Sequence, residues 1–437
     1  MMNKKNYLNK VLDIIFGKNL SIIFFIGFLI INLYYFITNF FATFLNKGDN
    51  ADEYYQYILY SFSNFSFKIF SYSSSQPYIF ICSLVNVFLQ SPKLSTRLVS
   101  LVFCMLLIIY FFKKIIKSKD SLLEKVYKNT LFICAIFITN QMYIGTSDFL
   151  SYFLFVSAIL IILENIDSGS INLNFKQSIF IGLLFALSIA TRPTSIILIA
   201  MFYASIFLVV GIKWFLSKEN HLILLSAIAF FFLINFKPIV QQNRIILDVK
   251  EVPKETGVTW FQRNYLMAKF WDSKQLPRTK WVKTADVIAF KNKNPNFEFP
   301  KNQLDLLVKE PGLYFRQMVR MIAMSLYTSF RFMYLLFPLL FLGLIKSKRF
   351  GIINSINQSN QKEVVINKIL IIFLFLSIIV FSFIAIKMFE FRWVIPIMIL
   401  YVYFAIIYLS KFPEKFRFMI YTFSFISGIL LFSKFLL

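Results

Sequence analysis

The stretch LSIIFFIGFLIINLYYFITNFFATFL, residues 20–45, decides the fold of this chain. It holds no charged residue, and a helix of this length, at about 1.5 Å of rise per residue, crosses a hydrocarbon layer of about 30 Å. It is too long for the apolar core of a signal peptide, and no small-residue cleavage site follows it. We therefore interpret it as a retained first membrane helix.

The composition of the whole chain agrees with this interpretation. Hydrophobic residues make up 58% of the 437 positions, aromatic residues 19% and charged residues only 15%. The mean hydropathy is +0.68, which is too high for a water-soluble chain of this length. We predict an all-α protein that crosses the membrane many times.

Apolar windows recur along the chain and predict about eleven transmembrane helices. The windows are residues 20–45, 95–113, 127–144, 147–164, 177–191, 194–212, 221–238, 318–345, 368–387, 393–410 and 418–436. They define three regions: an amino-terminal membrane module (1–238) whose first outer loop covers 46–95, a large non-cytoplasmic loop (239–315), and carboxy-terminal membrane helices (316–437). Within the first outer loop, QPYIFICSLVNVFLQ (76–90) is short for a span and lies between Pro77 and Pro92, so it predicts an interfacial or re-entrant helix.

The positions of lysine and arginine orient these helices. Cations gather in alternate short connections, namely Lys4, Lys5, Lys10 and Lys18; Lys113, Lys114, Lys117 and Lys119; Lys346, Lys348 and Arg349; and Lys411, Lys415 and Arg417. The positive-inside rule places these connections and the amino terminus in the cytoplasm and both long loops on the opposite side. The formal charge of +25 then reflects membrane topology, and no nucleic-acid partner is predicted.

Several kinds of site are disfavoured by the rarity of the residues they need. Cys82, Cys104 and Cys134 lie in apolar surroundings without paired or metal-ligand spacing, so they are predicted to be small buried hydrophobes. The single histidine, His221, lies beside charged residues at a predicted helix end, where it suits a structural role at the interface. A catalytic triad that uses a histidine base is therefore not predicted. No glycine-rich nucleotide-binding loop is present.

An adjacent carboxylate pair, Asp52 and Glu53, follows the first membrane helix. The pair could cap a following helix over YYQYILY, since carboxylates favour the positive end of the helix dipole. It could also serve as a general base at the membrane surface. The residues discussed next favour the second interpretation.

Charged residues also lie at three other turns that the predicted topology places on the same outer face. Asp148 opens the fourth window in GTSDFLSYF, Arg192 lies in TRPTS, and Glu390 and Arg392 lie in KMFEFRW. Carboxylates and arginines that converge at one face suit a reaction between an anionic lipid phosphate and a hydroxyl acceptor. A further arginine, Arg331, is predicted inside the outer half of the bilayer, where it needs a wet cavity, an anion or an intramembrane salt bridge.

With these residues in view, the chain resembles the GT-C superfamily of polyprenyl-phosphate-sugar-dependent glycosyltransferases, in particular the bacterial relatives of protein mannosyltransferases and lipid A aminoarabinose transferases. The resemblance extends over most of the chain and rests on the order of DEYYQY, the segment from QPYIF to YFFKK, SDFLSYF, ATRPTS, PGLYFRQMVRM and FEFRWVIPIMIL. Where the family commonly has His-Pro-Pro, this chain has Gln76, Pro77 and Tyr78.

The resemblance implies an inverting enzyme of the bacterial cytoplasmic membrane with its active site on the outer face. It would transfer a sugar from a polyprenyl-phosphate carrier to a hydroxyl of a glycan, lipid or protein. The implied catalytic residues are Asp52 as the base, Glu53 and Asp148, and the predicted substrate-binding residues are Arg192, Arg331, Arg392, Glu390, Tyr54 and Gln76. Arginines in place of a nucleotide-bound metal fit a monophosphate leaving group, and Asp52, Glu53 and Asp148 could also hold a divalent cation as oxygen ligands.

Two other functions use the same kinds of residues. A flippase or exporter of lipid-linked glycans would line its path with cations, but the internal repeats or broken helix pairs expected of such transporters are not clear in this chain. An oligosaccharide polymerase or ligase would use arginines and a large outer loop. The acidic pair directly after the first helix favours the glycosyltransferase over the polymerase or ligase.

Overall fold

The computed structural model describes residues 18–41, 75–139, 145–167, 170–236, 239–240, 257–275, 282–333, 361–384, 391–410 and 412–433. Within these residues the fold is almost entirely helical. One two-residue antiparallel ladder pairs β1 (Ile166–Asp167) with β2 (Ser170–Ile171). The predicted all-α class is therefore confirmed for the described part of the chain.

A helix overlaps each of the predicted apolar windows. The amino-terminal module contains α1 (Lys18–Phe40), α2 (Gln76–Leu89), α3 (Pro92–Ile116), α4 (Leu122–Phe137), α5 (Asp148–Glu164), α6 (Phe175–Thr191), α7 (Ser195–Val210), the short α8 (Ile212–Phe215) and α9 (Lys218–Ile234). The second long loop contains α10 (Trp260–Asp272), α11 (Thr284–Lys293) and α12 (Gln303–Lys309), and α13 (Pro311–Met333), α14 (Gln361–Ile384), α15 (Ile395–Leu409) and α16 (Glu414–Ser433) follow it.

Three of these helices are long and apolar enough to cross a membrane, judged by length and composition. They are α1, α3 and the stretch Lys362–Ile384 of α14. Large apolar side chains such as Ile30, Leu225 and Leu233 are exposed on the helices, where lipid would cover them. The chain therefore has the character of a membrane protein, and the count of about eleven spans stays a prediction.

The helix α15 lies at the centre of the bundle. Nearly all of its residues are buried, and it packs against α4, α5, α13 and α14. The segment before α15 is the short 3-10 turn Phe391–Trp393, which places Arg392 at the end of this central helix. The three cysteines are buried, as predicted.

The helix ends form two polar layers separated by the apolar core. At one end, Ser100 donates to the Thr146 carbonyl (2.8 Å) and Tyr152 donates to the Arg392 carbonyl (2.8 Å). We call this the Asp148 end. At the other end, Glu164 on α5 accepts from Lys114 on α3 (3.0 Å), and α4 binds α16 through Glu124 and Arg417. We call this the Glu124 end.

The second long loop builds a small apolar core of its own. Val258, Leu266, Met267, Val282 and Val287 form one buried cluster of the loop. The second long loop is bound to the first turns of α13, because Asp272 on α10 accepts two hydrogen bonds from the guanidinium of Arg316, at 3.2 and 2.8 Å.

Candidate functional site

The centre of the Asp148 end is the Asp148 carboxylate, whose side chain is 1% exposed. Its Oδ1 lies 2.5 Å from Nη2 of Arg192, and its Oδ2 lies 3.8 Å from Nη1 of Arg392. Thr146 donates its hydroxyl to Oδ2 at 2.6 Å, and the Tyr152 hydroxyl lies 3.2 Å from Oδ1. Both carboxylate oxygens therefore accept from neighbouring groups of this chain.

A tight turn before α5 fixes the position of this carboxylate. Gly145 has φ +77°, and a Cβ at this residue would lie 2.9 Å from Oγ1 of Thr96 on α3. Only glycine fits a left-handed conformation at such a close approach without strain. Ser100 holds the next residue by its hydrogen bond to the Thr146 carbonyl. Asp148 then occupies the first turn of α5, where the helix dipole favours a negative charge.

Arg192 is placed by the end of α6 and the proline that follows it. A residue before proline is restricted to extended backbone, and Arg192 has φ −145° and ψ 110°. Its N–H donates to the Ser188 carbonyl at 2.8 Å, and its own carbonyl accepts from the Ser195 N–H at 2.9 Å. The TRPTS sequence thus forms a short, hydrogen-bonded corner that carries the guanidinium.

Arg392 reaches the same carboxylate from the opposite end of the sequence. Its carbonyl accepts the hydrogen bond of Tyr152, so the turn before α15 is attached to α5. Tyr152 and Thr146 were not predicted as site residues. A signal for Tyr152 was present, because it follows Asp148 by four residues and lies on the same face of a helix.

Among the described residues, the guanidiniums of Arg192 and Arg392 both face the Asp148 carboxylate. The side chains of Arg192 and Arg392 are 18% and 30% exposed, whereas Asp148 is almost fully buried. A buried carboxylate thus holds two arginines whose outer parts remain accessible. Fixed guanidiniums of this kind are suited to binding a phosphate or another anion.

Arg97 adds another cation to the same layer. It is among the largest fully buried side chains of the described residues, and its Cγ would lie 3.2 Å from a Cβ at Gly145. Its burial against the turn before Asp148 places it within the Asp148 end.

The predicted residue Gln76 lies at the border of this cluster. Ser75, directly before it, donates to the Thr191 carbonyl at 3.0 Å and lies 3.4 Å from the Ser147 hydroxyl. Gln76 is buried and begins α2. The start of α2 is therefore attached to the turns that carry Asp148 and Arg192.

Three buried serines connect the helices that carry these turns. The Ser151 hydroxyl lies 3.1 Å from that of Ser195, and Ser188 donates to Ser195 at 2.9 Å. These residues belong to α5, α6 and α7. Their hydrogen bonds hold three helices together one turn from the Asp148 and Arg192 positions.

The remaining predicted site residues are not placed by the structure in the same detail. Asp52, Glu53, Tyr54 and Glu390 lie outside the described residues, and Arg331 belongs to α13. Among the described residues, no group of three or more histidine, cysteine, aspartate or glutamate side chains is arranged to hold a metal ion. Asp148, Arg192 and Arg392 are thus the predicted residues that the structure brings together.

Comparison of the chain with protein-family models, with curated protein sequences and with solved structures found no match.

Proposed function

We propose that this protein is a membrane glycosyltransferase that moves a sugar from a polyprenyl-phosphate carrier to a hydroxyl of a glycan, a lipid or a protein. In this proposal it belongs to the GT-C superfamily and acts on the non-cytoplasmic face of the bacterial cytoplasmic membrane. About eleven helices cross that membrane, and the amino terminus is cytoplasmic. The Asp148 end then faces outward, because the predicted topology places TRPTS and the FRW turn on that side.

The observation that carries the proposal is that two guanidiniums share one buried carboxylate. The Asp148 carboxylate accepts from Arg192 at 2.5 Å and lies 3.8 Å from Arg392. The arginines cannot turn away from the site without leaving this carboxylate buried and unpaired, which is costly. A monophosphate that enters from the lipid would therefore meet cations already held in position.

The proposed reaction is a single displacement at the anomeric carbon of the sugar. The acceptor hydroxyl attacks the anomeric carbon, and Asp52 takes its proton. The bond between that carbon and the phosphate oxygen breaks, and the polyprenyl phosphate leaves with the electron pair. Arg192 and Arg392 stabilise the charge that develops on the leaving phosphate. Attack opposite the leaving group inverts the configuration of the sugar.

The other predicted residues have supporting roles in this proposal. Glu53, Tyr54, Gln76 and Glu390 orient sugar or acceptor hydroxyls, and Arg331 extends the cationic path into the outer half of the bilayer. Asp148 acts as a positioning residue for the two arginines, since both of its oxygens are already engaged by side chains of the protein.

The test is transfer of radiolabelled sugar from mixed polyprenyl-phosphate sugars in membranes that contain equal amounts of each variant. Asp52→Asn removes the base with little change in volume and should abolish transfer. Arg192→Gln should lower transfer by about 10²–10³-fold, the effect of removing one fixed charge-stabilising donor. The matched control is Arg417→Gln at the Glu124 end, because Arg417 is also 18% exposed and also lies 2.5 Å from a buried carboxylate.

Equal loss of transfer per folded molecule in Arg192→Gln and Arg417→Gln would contradict the proposed site. Transfer that persists in Asp52→Asn would remove Asp52 from the mechanism. If the wild type transfers no sugar but moves lipid-linked glycan across proteoliposomes, the protein is a flippase instead.

A further inference from the structure

The helix α12 in the second long loop has a strongly apolar exposed side. Leu306 is fully buried and packs in a cluster with Tyr265 and Leu313. On the same helix, Leu304 is 74% exposed and Val308 is 80% exposed. These are among the most exposed large apolar side chains of the described residues, and they need a partner.

The arrangement of residues around α12 shows where this apolar side lies. Successive residues of an α-helix are about 100° apart, so Leu304 and Val308 each lie about 160° from Leu306. The exposed apolar side is thus opposite the side that packs into the loop core. Asp305 and Lys309 share a separate polar side, where they form an ion pair at 3.5 Å.

Contacts with α14 relate this helix to the membrane-spanning part of the chain. Gln303 donates its side-chain amide to the carbonyl of Ile384, the last residue of α14. Tyr314, at the start of α13, donates to the Phe383 carbonyl at 3.2 Å. α14 is one of the three helices long and apolar enough to cross a membrane. The helix α12 therefore lies at the level where a spanning helix ends.

The end of that spanning helix which contacts α12 is itself apolar and exposed. Phe383 and Ile384 are themselves exposed at the end of α14. Gln303, which contacts this end, lies between Leu306 and the apolar side, while Asp305 and Lys309 lie around the other flank. The exposed leucine and valine thus lie on a helix that contacts the exposed apolar end of α14.

We propose that α12 is an interfacial anchor that inserts Leu304 and Val308 into the lipid at the surface of the membrane. Lys301 is exposed just before this helix, where its ammonium group can reach phosphate headgroups. The anchor holds the second long loop against the bilayer. This inference requires only that the chain lies in a membrane, and it does not depend on sugar transfer.

The test is spin-label accessibility in lipid nanodiscs made of neutral and anionic phospholipids. Val308→Cys and Lys309→Cys are labelled separately, with Leu304→Cys as a second apolar position. The native cysteines Cys82, Cys104 and Cys134 are buried and should not take up label. Substitution at such exposed positions should leave folding intact, and unlabelled wild type measures background labelling.

The measured quantity is the ratio of collisions with oxygen to collisions with a water-soluble nickel chelate. This ratio should be several-fold higher for the labels at residues 308 and 304 than for the label at residue 309. Equal access of the nickel chelate to residues 308 and 309 would overturn the proposal. Spin–spin broadening at residue 308 in fully labelled samples would also overturn it, because a second copy of the chain would then cover the apolar side.

Discussion

Two ion pairs at opposite ends of the helical bundle have nearly the same geometry. At one end, Arg192 lies 2.5 Å from Asp148, and at the other Arg417 lies 2.5 Å from Glu124. Both arginine side chains are 18% exposed, and the carboxylates are 1% and 3% exposed. Distance and burial alone therefore do not separate a candidate binding site from a structural ion pair.

The neighbours of the two pairs differ. Asp148 has a second arginine, Arg392, beside it. Near Glu124, the additional groups are Asp120 and Lys128, which bind each other at 2.8 Å, so the charges of these four side chains balance. A cavity of about 370 Å³ at that end is lined by residues of both signs, including Lys119, Asp120, Glu414 and Arg417. Among the described residues, two arginines thus share one carboxylate at the Asp148 end, whereas each cation of the four has its own carboxylate at the Glu124 end.

The largest effect that separates the two ends should come from Asp148→Asn. This substitution removes the buried carboxylate that Arg192 and Arg392 share and should cost about 3–5 kcal/mol of stability. Transfer per folded molecule should also fall by at least about 10²-fold, because the arginines lose their positions. Glu124→Gln should destabilise the protein similarly, yet retain transfer per folded molecule. Stability is measured by unfolding in increasing dodecyl sulfate, and activity by sugar transfer per folded molecule. Equal residual transfer in the two variants would contradict the proposed difference between the two ends.

The balanced pair at the Glu124 end predicts an effect on stability alone. Lys128 and Asp120 are 0% and 7% exposed, so Lys128→Met leaves a nearly buried carboxylate unpaired and should cost about 3–5 kcal/mol. The double variant Asp120→Leu/Lys128→Met should recover most of that loss, because it removes both charges. A double-mutant cycle on the free energy of unfolding checks this. A double variant as unstable as the sum of the single variants would contradict the charge argument.

A smaller effect is expected from Gly145→Ala in the turn before Asp148. The substitution places a Cβ 2.9 Å from Thr96 in a left-handed backbone conformation, which should cost about 1–3 kcal/mol and lower transfer. Gly257→Ala is the matched control, since Gly257 also has a positive φ, +59°, but no atom within 4 Å of its Cβ position. Thermal unfolding and transfer should both be affected more at residue 145, and equal effects would mean that the contact with α3 is unimportant.

The smallest effect concerns pH. Burial raises the pKa of the Asp120 carboxyl, but hydrogen bonds from Lys128 and Ser118 outweigh burial and leave this pKa below its ordinary value. A lowered pKa in the folded state gives stability that is complete above the unfolded value of about 3.9 and is lost as pH falls below it. The difference in unfolding temperature between wild type and Asp120→Asn should therefore stay constant from pH 8 to pH 5 and shrink below about pH 4. A difference that already shrinks near pH 6 would assign the pH dependence to another group.

Hydropathy along the chain was enough to locate the apolar helices. Hydropathy is a local property, so each apolar window could be found without knowing its neighbours, and a helix overlaps every one. Local chemistry also determined several turns. Pro193 sets the extended backbone of Arg192, and Gln76 and Pro77 begin the helix predicted between Pro77 and Pro92.

Only the tertiary structure decided which charges meet. Asp148, Arg192 and Arg392 were selected because their turns share a predicted face, but the face alone does not give a 2.5 Å contact, the hydrogen bond from Thr146 or the position of the Tyr152 hydroxyl. Nothing in the sequence indicated that Arg417 binds Glu124 at the opposite end. Charge pairing depends on the packing of helices that are distant in sequence, whereas helix formation in an apolar segment depends on that segment alone.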